Sequence, residues 1–218
     1  MPGEYSNLLN PEKALIFRIT HRDNVPWVLK NGLHAKNGAL ADPNFRPIGN
    51  RDLIQKRTYH PVPAGPGGTL ADYIPFYFTP FSMMLYNIKT GLNGVPKVPN
   101  EEIVILVSSL RRVAELNIEF VFTDQHAYLG MAEHFTGLEH LARIDWPLLQ
   151  TKDFKRDNDD PGKTDRYQAE ALIWKHLPVH AILGICCHTE TVRDGLKQRV
   201  DELGLSLDVL KKFEWYFR

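Results

Sequence analysis

Apolar positions fall in short runs separated by polar and Gly/Pro-rich stretches, and that pattern predicts many short strands with helices inserted between them. Strands are expected over residues 15–21, 73–79, 102–107, 120–124, 171–174, 181–187 and 213–217. Arg18 interrupts the first, which fits an edge position reaching water. Pro75 and Pro80 bound the aromatic run at 73–80 and argue for an edge or short strand there.

Helices are expected where caps precede apolar positions. Asp23 or Asn24 caps residues 25–31, with Pro26 in the first turn and Gly32 just past the end. Further helical segments are read at 52–57, 81–87, 108–113 and 190–203, and from 124 to about 146 with polar interruptions. Residues 1 to about 13 read as a polar lead-in. The stretch 34–72 is loop-rich, residues 60–68 exclude regular structure, and 153–165 form an exposed charged loop. No internal repeat, glycine-rich dinucleotide signature or P-loop occurs. The expected class is α+β, as a single domain over residues 1–218.

Composition narrows the function. The chain has 218 residues, 43% hydrophobic and 24% charged, within the soluble globular range. A net charge of +0 argues against a strongly basic nucleic-acid binder and leaves room for a local basic groove. Cys186 and Cys187 are adjacent and poorly placed to pair, which predicts a reducing, cytoplasmic compartment. No apolar run approaches the ~20 residues of a membrane helix, and no signal-peptide pattern opens the chain.

Glu170 stands at the head of the apolar run 171–174, where an ionisable group enters the core. Such a carboxylate is either held in a structural ion pair or used for chemistry. Lys56, Arg57, Tyr59 and His60 interleave cations with stacking groups, a combination suited to single-stranded nucleic acid or to a solvated turn. Lys155 and Arg156 lie on the loop leading to Glu170, within sequence reach of a phosphate chain. His126, His134 and His140 match no metal-ligand spacing and read as surface or packing histidines, so no metal is expected.

Taken together, Arg18-Ile19-Thr20-His21-Arg22-Asp23-Asn24, Asn31-Gly32-Leu33, Pro75-Phe76-Tyr77-Phe78, Ser82-Met83-Met84-Leu85-Tyr86 and Arg166-Tyr167-Gln168-Ala169-Glu170 resemble the DarT toxins of bacterial DarTG toxin–antitoxin systems. The similarity runs from about residue 14 to the C-terminus. It implies an ADP-ribosyltransferase fold, a split mixed or antiparallel sheet around an NAD⁺ cleft. It also implies transfer of ADP-ribose from NAD⁺ to a base of single-stranded DNA, thymidine first and guanosine in a related branch, with a DarG-type macrodomain antitoxin as partner.

By the same resemblance Glu170 matches the catalytic glutamate and Arg57, rather than Arg51, the catalytic arginine. Thr20, His21, Asn24, Gly32 and Leu33 match the NAD⁺-binding segment, with Arg18 where other members carry histidine. Tyr77 takes the place of an aromatic that stacks on nicotinamide, and Met83 replaces a proline often found there. The residue types suit the chemistry: a carboxylate stabilises the positive charge that builds on ribose as the glycosidic bond breaks. The rival readings are transfer to RNA or protein, plain NAD⁺ hydrolysis, and non-catalytic binding of single strands.

Overall fold

The computed structural model describes residues 5–218, so the first four residues of the polar lead-in lie outside it. In chain order the elements are β1 (Leu15–His21), α1 (Val25–Asn31), β2 (Leu33–His34), α2 (Arg51–Arg57), β3 (Tyr73–Tyr77), α3 (Met83–Thr90), β4 (Ile103–Ser109), α4 (Leu110–Glu115), β5 (Phe120–Thr123), β6 (His134–Phe135), α5 (Trp146–Gln150), α6 (Lys163–Arg166), β7 (Glu170–Trp174), β8 (His176–Leu177), β9 (Gly184–Cys187), α7 (Glu190–Glu202) and β10 (Asp208–Lys211). No helix of the described residues is long and apolar enough to cross a membrane.

Eight strands form one sheet in the order β10-β9-β4-β1-β3-β7-β5-β6, and β2 and β8 form a separate pair. Only β10 and β9 run parallel; the other pairs are antiparallel. The fully apolar β4 is buried along its whole length, as a strand covered on both faces requires. Ser82, Ser109 and Thr189 accept hydrogen bonds from the first turns of α3, α4 and α7, which fixes where those helices begin.

The sheet is split in the middle. β1 pairs with β4 at seven positions and β3 with β7 at five, but β1 meets β3 only at Phe17↔Tyr77. Arg18 bridges the gap, with Nη1 donating to the Pro75 carbonyl at 2.8 Å. Arg18 and Pro75 are therefore interior, not at an edge. Pro75 is tolerated because its missing N–H lies on the side where β1 has drawn away, the side to which its carbonyl already points. Burial lowers the Arg18 pKa to about 10.

Two other segments depart from their expected elements. Residues 124–146 are turns, the short β6 and a 3₁₀ stretch at Leu138–Arg143, in place of a long helix. Side-chain-to-backbone bonds compete with helical ones here: Asp124 accepts from Glu133 N–H, and His126 from Tyr128 N–H. At the C-terminus the strand lies earlier, in β10, and Phe213–Trp215 form a 3₁₀ turn. That turn brings Trp215 edge-on to Phe17 and lets the Tyr216 hydroxyl donate to Ile103 and Cys186 carbonyls, contacts a straight strand could not make.

Gly32 joins α1 to β2 with φ +76°, and a Cβ there would lie 2.5 Å from the Leu177 carbonyl oxygen and 2.8 Å from His176 Nε2. Gly32→Ala is expected to cost about 2 kcal/mol or more through left-handed strain and overlap with backbone. A thermal melt should fall by roughly 4 °C at least; an unchanged midpoint would refute this account of the α1–β2 junction.

Candidate active site

Glu170 opens β7 directly opposite Tyr77 on β3, and its residue exposure is 1%. Its two oxygens receive a two-point bond from Arg57, the last residue of α2, at 3.0 Å to Oε1 and 2.8 Å to Oε2. Ala127 N–H donates to Oε1 at 3.1 Å. Burial pushes the Glu170 carboxyl up and is the largest single influence, but the Arg57 charge, the neighbouring His126 and the hydrogen bonds from Arg57 and Ala127 together outweigh it and hold the group below the usual carboxylate range. For Arg57 burial opposes the charge, and Glu170 reverses that and raises the guanidinium pKa. Tyr77 is held well above its ordinary value by burial and by the adjacent carboxylate.

A cavity of about 380 Å³ opens beside this pair. Its walls include Leu53 and Lys56 of α2, Tyr77 of β3, Met84 of α3, and His126 and Gln168 from the segments flanking β5 and β7. A shallower depression of about 350 Å³ lies on α2 between Asp52, Gln55, Lys56 and Tyr59. Tyr59 is 81% exposed there, its ring free of tertiary packing. His60 sits 4.7 Å from the Tyr128 ring, and its pKa is lowered by burial first and by Arg57 second. Lys155 and Arg156 are exposed and line neither hollow.

The first strand and helix supply a second cluster. His21 Nδ1 accepts from Asp23 N–H at 3.1 Å, leaving Nε2 as the donor to Glu102 at 3.0 Å. Asn24 donates to Thr20 Oγ1 and to the Arg46 carbonyl, and accepts from Arg46 N–H. Arg46 Nη1 also pairs with Asp23 at 2.6 Å. Asn24, braced by Thr20, and Asp23 thus pin the segment between β2 and α2 to the start of α1, while His21 ties the end of β1 to Glu102. At the far end Gly32 and Leu33 pack under β8, where Leu33 pairs with Leu177. Arg18 keeps a buried Nε–H without a partner, an unspent donor inside the split.

The sequence reading passed over three participants. Arg46 contacts Asn24 through its backbone and Asp23 through its side chain, a pairing distant in sequence that no local pattern marks. Gln168 stood inside a quoted motif without a role. His126, expected at the surface or in packing, has its Nδ1 3.4 Å from Glu170 Oε1. Among the described residues no cluster of three or more His, Cys, Asp or Glu is placed to hold a metal.

Residues 17–217 match the family model described as ssDNA thymidine ADP-ribosyltransferase, DarT. The chain belongs to the DarT family. A DNA ADP-ribosyl transferase of Escherichia coli O127:H6 (strain E2348/69 / EPEC) is 55% identical to this DarT-family chain over 217 residues, covering 100% of both. Thermus sp. 2.9 DarT in complex with ADP-ribosylated ssDNA superposes with a TM-score of 0.86 at 32% identity, covering 95% of this chain and 98% of that one. The same Thermus protein in complex with NAD⁺ gives a TM-score of 0.80 at 32% identity, over 95% and 99% of the two chains.

Replacing Arg57 by Ala should leave Glu170 as a buried charge without its counter-ion, at a cost of about 3–5 kcal/mol near neutral pH. In the parent the folded Glu170 pKa lies below the unfolded one, so its contribution is complete above the unfolded value and fades as pH falls through the folded value. In Arg57→Ala the folded pKa should rise above the unfolded one, so the deficit should shrink on acidification. Urea unfolding of both proteins at roughly pH 7 and pH 5 reads this out; a deficit independent of pH would show that Glu170 does not carry the charge at issue.

Proposed function

We propose that Glu170 and Arg57 are the catalytic pair of a DNA ADP-ribosyltransferase that moves ADP-ribose from NAD⁺ onto a thymidine base of single-stranded DNA, releasing nicotinamide. The observation that carries this is the buried two-point Arg57–Glu170 contact next to Tyr77 and His126, which line the cavity. Membership in the DarT family supplies the reaction class. Glu170 stabilises the cationic ribose as its bond to nicotinamide breaks and accepts a hydrogen bond from a ribose hydroxyl. Arg57 then turns from the carboxylate toward the incoming base and polarises a ring carbonyl beside the attacking nitrogen, making its proton easier to lose.

Arg18, with its unspent buried donor, fits the diphosphate of NAD⁺. Thr20, His21, Asn24, Gly32 and Leu33 form the rest of the dinucleotide segment, and Tyr77 supports the nicotinamide. Lys56, Tyr59 and His60 offer a cation and exposed or half-exposed rings to the strand flanking the target base; Lys155 and Arg156 serve as outlying phosphate contacts. One domain over residues 1–218 carries the activity as a toxin, with a DarG-type macrodomain antitoxin as its counterpart. Cys186 and Cys187, both buried with free thiols, support a cytoplasmic setting.

Glu170→Ala is expected to lower ADP-ribosylation of a thymidine-containing oligonucleotide by about 10²–10³-fold or more. Mass spectrometry of the oligonucleotide after incubation with NAD⁺ measures it. Labelling at the parental rate would refute the assignment of Glu170.

A further inference from the structure

We propose that His126 is a specificity-determining residue for this reaction, a neutral imidazole whose Nε2–H reads a carbonyl acceptor on the target base. The inference rests on the reading above, in which Arg57 supplies a donor to that base. The backbone fixes the histidine. His126 N–H donates to the Asp165 carbonyl at 3.1 Å, which ties the loop after β5 to the helix that leads into β7. Two residues on, Tyr128 N–H donates to His126 Nδ1 at 3.1 Å. A ring nitrogen that accepts an N–H holds a lone pair, so the proton of the neutral ring sits on Nε2.

That choice of tautomer decides what His126 can do. Its Nδ1 lies 3.4 Å from Glu170 Oε1, but both atoms are acceptors, so no bond links them in this state. His126 therefore does not hold Glu170, and as placed it cannot take a proton from the base through Nε2. What remains is a donor: the ring lines the cavity, and Nε2 has no hydrogen-bond partner among the described residues.

Arg57 Nη1 and His126 Nδ1 both lie beside Glu170 Oε1, so the two side chains share one end of the site, with the His126 Nε2–H on the side of its ring turned away from the carboxylate. A base attacking the ribose held there meets donors from both residues. The base edge that answers two donors is an N–H flanked by two carbonyl oxygens. Thymine presents that edge with O2, N3–H and O4. Guanine places an amino donor beside its N1–H, and cytosine sets an amino donor against one carbonyl. The two donors thus select a thymine-type edge, while the nitrogen between the carbonyls attacks the ribose carbon, the bond to nicotinamide breaks with its electrons, and the N3 proton leaves to solvent.

Two variants separate donation from a structural role. His126→Asn keeps an acceptor for Tyr128 N–H but has no atom at the Nε2 position; His126→Gln restores a donor there. Oligonucleotides with a single thymidine, or with 2-thio- or 4-thiothymidine in its place, serve as acceptors. Loss of one base contact should lower kcat/KM for the thymidine oligonucleotide by roughly 10- to 100-fold in His126→Asn, and His126→Gln should recover most of it. Sulfur at one of the two positions should slow the parent and leave His126→Asn no slower. Parental labelling by His126→Asn, failure of His126→Gln to exceed it, or equal thio effects in parent and His126→Asn would each overturn the proposal. Glu170→Ala in the same assay keeps the two readings apart, since labelling that survives there removes the catalytic assignment, not the base contact.

Discussion

Two opposite charges placed together in the interior organise this molecule. Taking a carboxylate and a guanidinium out of water costs several kcal/mol each, and the outlay is met only when geometry and supporting hydrogen bonds are both good. Here Arg57 addresses both oxygens of Glu170, and the Ala127 N–H supplies a further donor. The partners come from distant parts of the chain, a strand start in the sheet and the end of a helix outside it. Keeping them in register therefore requires α2 to be held over the mouth of β7. The Asn24–Arg46 and Asp23–Arg46 contacts do part of that by anchoring the segment that feeds α2.

The surrounding electrostatics follow from the same arrangement. Tyr77, opposite Glu170 in the ladder, is kept protonated by burial and by the carboxylate. Two histidines are set by the same local device, an N–H two residues on donating to Nδ1, at His21 through Asp23 and at His126 through Tyr128. In each case the backbone chooses the tautomer and aims the remaining N–H outward, to Glu102 in one and to the cavity in the other. Orientation is thus bought with main-chain hydrogen bonds that cost little flexibility.

What was legible in the sequence was whatever rests on a sustained local pattern. β4 and β7 are continuous apolar runs, and a serine cap opens the helix after β4, so these elements emerged without a structure. The same logic failed where two tendencies compete. Residues 124–146 hold enough apolar positions to suggest a helix, but side chains that bond nearby N–H groups, together with Gly130 and Gly137, turn the backbone aside. The aromatic residues at 213–217 looked like a strand; they bury themselves by coiling against Phe17 and the β4 and β9 carbonyls. Glu170 could be singled out because charge beside an apolar run is conspicuous, and Arg57 because it stands among interleaved cations and rings and matches the family's arginine. His126 could not, because its relation to Glu170 depends on a turn, and Lys155 and Arg156, on the loop leading to Glu170, are exposed and line neither hollow.

The proline in β3 has a consequence for how the two halves of the sheet stay parted. An ordinary strand pair that has parted still carries matching donors and acceptors along both lips, and collapse would be rewarded. Pro75 offers no donor on that lip, and its carbonyl is already taken by Arg18. The two halves of the sheet therefore have little to zip together at that point. Their parting is written into covalent chemistry, and a side chain rather than a backbone ladder spans it.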